Sequence, residues 1–344
     1  MKAVTIRDVA AEARVSIKTV SRVINGEKHV RAELRERVED VVARLGYRPN
    51  TFARSLSGSR SYLVGLFVDN PSSSYAADVQ LGALTRCRER SYHLVIEPVD
   101  LAAPDWAEAM ADGIRALRLD GAVLIPPLCD EPAAIAVLEA AGLPYVRISP
   151  HEEQGRSGVV AMDDFAAAQE MTAHLIGLGH RDIGFIKGPP LHRVSETRLA
   201  GFMATMAEAG LSVPEHRVMT GDFAMRSGLD IGEAMLGGGA SGGTGGRPSA
   251  IFASNDDMAL GVLITALKHG IAVPEQLSIA GFDDAPISRA AWPAITTIRQ
   301  PMAAMAAAAI DMLIDPAFRG REDDAAYHRS LAYALVVRGS TGPV

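Results

Sequence analysis

The chain has 344 residues, 48% hydrophobic and 22% charged, with a net charge of −7. Two cysteines, Cys87 and Cys129, give no disulfide framework and suit a reducing cytoplasm. No stretch approaches the ~20 apolar residues needed to span a bilayer. The N-terminal MKAVTIRDVAAEARV has no apolar targeting core, so a cytoplasmic protein that does not engage a membrane is expected.

The net charge conceals an asymmetry. Residues 1–60 carry 13 Lys+Arg against 7 Asp+Glu, a net of +6; the whole chain has 34 and 41, which leaves 21 against 34, or −13, for the rest. A basic head on an acidic body is expected when one end meets phosphate and the other does not.

The head reads as three helices. Thr5 followed three residues later by Asp8 can form a reciprocal N-terminal cap, and Ile6, Val9, Ala10 and Ala13 then fall on one apolar stripe. Ser16 can cap a second helix, Ile17 to about Ile24, that buries Val20, Val23 and Ile24 and turns Lys18, Ser21, Arg22 and Asn25 outward. Lys18 and Arg22 are four apart and share a face, where two cations repel mildly unless a polyanion lies opposite. Arg14 occupies the turn between these helices. A third helix, Ala32 to Leu45, supplies Leu34, Val38, Val41, Val42 and Leu45 to close the core. Two short helices around a tight turn are the geometry that places a helix in the major groove of DNA. The segment from Asn50 to Gly58 is shorter than the ~12 residues below which an isolated helix is marginal, so it is expected to order only on binding.

From about Ser61 the chain changes character. Short apolar runs (62–68, 93–99, 121–127, 145–149, 182–188, 250–254 and 278–283) alternate with helical stretches, among them 76–90, 164–178, 193–209, 256–269 and 301–314. Such alternation implies parallel sheets covered on both faces, and about 280 residues implies two lobes. Met302, Met305 and Met312 lie at helical spacing and are expected in the core or in lobe packing within a dimer. The Gly/Ser-rich 237–249 reads as a surface insertion. Ligands of such sheets collect at the carboxyl ends of strands, where this chain places Asp69-Asn70, Ser149, Ser254-Asn255-Asp256 and Asp283, with Arg198 opening a helix and Phe223 nearby. Tyr75, in the loop after the first strand, is a candidate wall residue. Asp256 can serve instead as the cap of a helix starting at Asp257.

Acidic pairs also occur at Asp163-Asp164, Asp256-Asp257, Asp283-Asp284 and Asp323-Asp324. Paired carboxylates serve glycoside hydrolysis, but adjacent residues on a helix or strand point apart. There is no Walker loop, nucleophile elbow, H-E-x-x-H or C-x-x-C, so a sugar-processing enzyme is disfavoured, and no metal or cofactor is expected beyond a small-molecule effector.

The strings VSIKTVSRVIN, VEDVVARLGYRPN and ARSL, followed by GLGHRDIGFIKGP, RLAGF, ASNDDMALG, SIAGFDD and ITTIRQP, resemble the LacI/GalR family of bacterial transcriptional regulators, in matching order and over nearly the full length. The resemblance implies an all-α helix-turn-helix headpiece (1–48), a hinge helix or linker (49–60) and an α/β two-lobed, periplasmic-binding-protein-like core with parallel sheets (61–344) that binds effector and dimerises. Lobe 1 would hold about 61–162 and 301–327, and lobe 2 about 163–299 and 328–341. It implies base reading by Ile17, Lys18 and Arg22; DNA-backbone contact by Thr5, Ser16, Thr19, Ser21, Asn25 and His29; and a minor-groove hinge of Asn50, Ala53 and Leu56, with Leu56 wedged between base steps. The positions matching Arg198, Asn255 and Asp283 would bind effector hydroxyls with Phe223 against an apolar sugar face, joined by Asp69, Asn70, Tyr75, Ser149 and Gln300. The expected function is a sequence-specific, homodimeric repressor of carbohydrate uptake or catabolism genes on a pseudo-palindromic duplex operator, controlled by a sugar-like effector. The alternative is a nucleobase or nucleoside co-repressor. A chain ending soon after LVVRGST, without a leucine-heptad tail, fits a dimer rather than a tetramer.

Overall fold

A computed structural model describes residues 4–24, 30–47, 60–70, 72–151, 157–237, 246–318 and 327–344. Asn25, His29, Asn50, Ala53, Leu56 and the Asp323-Asp324 pair lie outside the described residues, as does most of the Gly/Ser-rich stretch. The chain divides into two compact units, Met1–Tyr62 and Leu63–Val344, so Ser61 and Tyr62 group with the first unit rather than the second.

The first unit is built from α1 (Ile6–Ala13), α2 (Ile17–Ile24) and α3 (Ala32–Leu45). Val9, Ala10, Ala13, Val20, Val23, Val38 and Val41 form its buried centre.

The second unit contains two parallel sheets. The first has the order β11-β5-β4-β3-β1-β2, with β1 Leu63–Val68, β2 His93–Pro98, β3 Gly121–Leu124, β4 Tyr145–Ile148, β5 Gly158–Ala161 and β11 His328–Ser330. It carries α4 (Ser74–Glu89), α5 (Trp106–Leu117), α6 (Pro132–Ala140) and α12 (Met302–Ile314). The second sheet has the order β7-β6-β8-β9, with β6 Ile183–Lys187, β7 Val218–Thr220, β8 Ala250–Ala253 and β9 Ser278–Ala280. It carries α7 (Asp164–Gly177), α8 (Val194–Glu208), α9 (Met225–Leu236), α10 (Asp256–Lys268) and the short α11 (Pro286–Ala290). An antiparallel pair, β10 (Thr297–Arg299) with β12 (Ala334–Val336), completes the unit beside the second sheet.

The chain passes between the lobes after β5, after β10 and after β11. The last passage lies beyond Ser330, not at 327, because His328–Ser330 pairs in parallel with Val159–Ala161 at the edge of the first sheet. This strand is three exposed, largely polar residues and carries no hydrophobic signal. Met302, Met305 and Met312 are buried in α12, and Met312 packs so closely on β5 that a Cβ at Gly158 would lie 2.2 Å from its sulfur. In the second lobe, Phe185 stacks on Phe202 at 5.0 Å and meets Phe252 edge-on at 5.2 Å, all three fully buried.

Candidate DNA-reading face and ligand cleft

In the head, each short helix is closed by its own side chains. The Thr5 amide donates to Asp8 Oδ2 (2.8 Å) and the Asp8 amide to Thr5 Oγ1 (3.4 Å), a reciprocal cap. Arg14 ends α1 in the left-handed region at φ 52°, and its amide donates back to carbonyls of the last turn. The Thr19 amide donates to Ser16 Oγ (3.1 Å), and the Ser16 and Thr19 hydroxyls lie 2.9 Å apart in a hydrogen bond. α2 is thereby started at a fixed point, with Val20 and Val23 inward and Ile17, Lys18 and Arg22 exposed; Thr19 and Ser21 are half-buried at its flanks. Ile17 is 46% exposed at the helix N-terminus, an unusual placement for a branched apolar side chain beside two cations. One face therefore offers an apolar contact suited to a thymine methyl and two donors suited to guanine.

In the second unit, the carboxyl ends of both sheets and the N-termini of α4, α8, α9 and α10 converge on a cavity of about 360 Å³ between the lobes. Asp69, Asn70, Tyr75, Arg198, Phe223, Asn255, Asp283 and Gln300 all line it. Ser149 does not: it lines a second depression of about 340 Å³, with its hydroxyl buried.

Arg198 organises the rear wall. Its Nε donates to Asp164 Oδ1 (2.8 Å) and its Nη1 to the Ser254 carbonyl (2.7 Å), and the guanidinium lies 3.7 Å from the centroid of the Phe282 ring. Asp283 Oδ1 is 4.0 Å from Nη1. Burial pushes the Asp164 carboxyl up, and Arg198 opposes it. Burial likewise pushes Asp283 up to about 7, against the pull of Arg198 and of the amide donated by Gln300 Nε2 at 2.6 Å. The Gln300 Oε1 atom is buried without a hydrogen-bond partner, as are the hydroxyls of Tyr75 and Ser149. Asp69 is partly desolvated, but His192 (3.6 Å) and neighbouring amides hold its carboxyl below the usual range.

Asn255 is committed locally as well. Its Oδ1 accepts from the Met258 amide (3.0 Å), capping α10, and its Nδ2 donates to the Phe223 carbonyl (2.8 Å). Asn255, not Asp256, is thus the cap, and the helix begins at Asp256; a carboxylate there is instead fully buried, accepting from Thr297 Oγ1 and the Ala285 amide at 2.7 Å each. Phe223 adopts φ 66° and meets His192 edge-on at 5.1 Å, and Asp283 adopts φ 112°. Left-handed backbone at two non-glycine positions concentrates strain at the cavity, as is common where a site is preformed.

The two members of each described aspartate doublet take different roles. Asp164 grips Arg198 while Asp163 caps α7; Asp257 lines the cleft while Asp256 is buried beneath it; Asp283 lines the cleft while Asp284 pairs with Arg299 (2.6 Å) and Arg338 on the other side. Residues not anticipated at the cavity include His192, Asp222, Asp257, Ile125 and Ser72 to Ser74. His192 and Asp222 follow β6 and β7, so the strand-end rule applied to those two loops would have found them.

Residues 5–50 match the family described as bacterial regulatory proteins, lacI family, and residues 172–341 match a periplasmic binding protein-like domain. The HTH-type transcriptional repressor PurR of Salmonella paratyphi A is 32% identical over 325 residues, covering 93% of this chain and 92% of that protein. The lac repressor dimer bound to operator and the anti-inducer ONPF is 28% identical with a TM-score of 0.78, over 99% of this chain and all of that one. The transcriptional regulator CelR in complex with cellobiose is 28% identical with a TM-score of 0.73, over 98% and 99% of the two chains. These relatives are regulators of transcription, not enzymes. With a three-helix head whose second helix presents Ile17, Lys18 and Arg22, and a two-lobed body around a ligand-sized cleft, the chain belongs to the LacI family of DNA-binding bacterial transcriptional repressors.

Proposed function

We propose that this repressor acts in the cytoplasm as a homodimer on a pseudo-palindromic operator, and that a small sugar-like effector in the inter-lobe cleft sets its DNA affinity. The observation that carries the effector assignment is the cavity of about 360 Å³, where Asp69, Asp283 and Gln300 present acceptors beside the Phe223 ring. Carboxylates and amides pair with neighbouring hydroxyls, and an aromatic ring covers the apolar face of a pyranose. The complex of CelR with cellobiose is a related chain holding a sugar. No metal or cofactor takes part. Ile17, Lys18 and Arg22 read bases, while Thr5, Ser16, Thr19 and Ser21 set register on the phosphates. Effector binding changes lobe closure and thereby operator affinity, a coupling typically of ~1–3 kcal/mol.

The similarity to PurR gives the second reading a foothold: a nucleobase or nucleoside that strengthens operator binding. The test is binding to duplex fragments from beside the protein's own gene, titrated with mono- and disaccharides and with purine bases and nucleosides. Release by a sugar supports the first reading, tightening by a base supports the second, and absence of sequence-specific binding under every condition defeats both.

A further inference from the structure

The cleft's lining is unequal in charge. Asp69, Asp222, Asp257 and Asp283 border it; among the described lining residues Arg198 is the sole guanidinium and no lysine occurs. Arg198 is 4% exposed and already bound to Asp164, the Ser254 carbonyl and the Phe282 ring, so its charge is spent within the wall. His192 is turned to Asp69.

Four helix N-termini facing one cavity would ordinarily favour an anion. Here two are closed by side chains of the chain itself: Ser73 Oγ accepts from the Ala76 amide (3.1 Å) at α4 and Asn255 Oδ1 from the Met258 amide (3.0 Å) at α10. Asp222, whose Oδ1 accepts from the Ala224 amide (2.9 Å), places a carboxylate in the turn just ahead of α9. The fourth, α8, carries Glu196 in its first turn. The buried, unpartnered Gln300 Oε1 at the cavity is a further acceptor awaiting a donor.

We infer that the cleft selects a hydrogen-bond-donor-rich effector that is neutral or carries an amino group, and excludes phosphorylated and carboxylated sugars. The inference rests on the sugar-like effector proposed above and adds the charge class. A phosphate in the cavity would meet at least Asp69, Asp222 and Asp257 as like charges with no free cation to offset them, and in a partly desolvated site such repulsion is large. A polyol would instead donate to acceptors already in place.

The test uses the full-length protein and calorimetric titration with matched sets: neutral sugars, their 2-amino forms, their 6-phosphates and their aldonic or uronic acids. Every neutral parent that binds is expected to lose at least ~30-fold in affinity on phosphorylation or conversion to an acid, while its amino form stays within ~10-fold or tightens. A phosphate or acid binding as tightly as its parent overturns the inference while leaving the sugar reading intact. Silence of the whole panel, neutral members included, overturns the sugar reading and this inference with it. The double variant Asp222→Asn, Asp257→Asn, its folding checked by an unchanged melting profile, should narrow the phosphate penalty by ~10-fold; an unaltered penalty shows that charge is not its cause. If that variant does not fold, raising salt with the wild-type protein should narrow the penalty instead, and a salt-independent penalty counts against the charge argument.

Discussion

The outward face of α2 and the inter-lobe cleft are opposite solutions to recognition. On α2, Lys18 and Arg22 are exposed on a surface that the helix caps merely hold in place. In the cleft, Arg198 and Asp283 are 4% and 7% exposed, and their partners are other buried side chains. An exposed cation keeps much of its hydration, so it serves affinity and sequence reading at little cost to folding. A buried ion cluster is desolvated in advance; removing one member leaves the others uncompensated. Substitutions on α2 should therefore alter binding without stability, whereas substitutions in the rear wall should alter stability as well.

The largest expected effect lies in the wall. Arg198→Met should destabilise the second unit by about 3–5 kcal/mol, since Asp164 and Asp283 lose their shared cation; urea unfolding measures this, and a loss below ~1 kcal/mol would erase the contrast. Arg22→Ala should remove about 1–3 kcal/mol of discrimination at one base pair per half-site while leaving the melting temperature unchanged, as read by binding to operator variants. Asp283→Asn should weaken effector response by roughly 10-fold or more, with DNA affinity in the absence of effector retained. Arg14→Gly should stabilise the head by about 1 kcal/mol, because φ 52° favours glycine; a destabilised head would mean that Arg14 makes a contact worth more than its strain.

The smallest effect sharpens the comparison by pH. Asp283 faces Arg198 from α8, Asp164 from α7, Asp257 from α10 and the Gln300 amide, and burial lifts it to about 7 from an ordinary 3.8. A carboxyl raised on folding is harder to ionise in the native state, so its stabilising contribution is full below about pH 4 and fades as pH rises through 7. The melting temperature of ligand-free wild type relative to Asp283→Asn should therefore fall between pH 5 and 8. A difference independent of pH would show that Asp283 titrates in its ordinary range.

The head was legible nearly residue by residue. The spacing of Thr5 and Asp8 and the apolar stripes are local signals, and α2 and α3 span the predicted Ile17–Ile24 and Ala32–Leu45. The cleft was legible through a rule of topology: strand ends gather, so Asp69, Asn255 and Asp283 meet although they are far apart in sequence. What escaped depends on side-chain partners and backbone angles. Nothing in the sequence says that Asn255 spends its amide on Met258 and Phe223, or that Ser149 falls outside the main cavity. β11 escaped because three exposed residues pair through backbone alone.

The three passages between the lobes have a genetic consequence. The first sheet takes β1 to β5 from one stretch of the gene, α12 from a later one and β11 from later still, while the second lobe's segments are threaded between and after them. Neither lobe corresponds to a continuous piece of coding sequence. A stop codon after Gln300 would strip the buried Met305, Ile310 and Met312, whose helix packs on α4 and on β3 to β5, from the first lobe and β12 from the second. Recombination can thus exchange the head as a cassette, but the body can only be inherited whole.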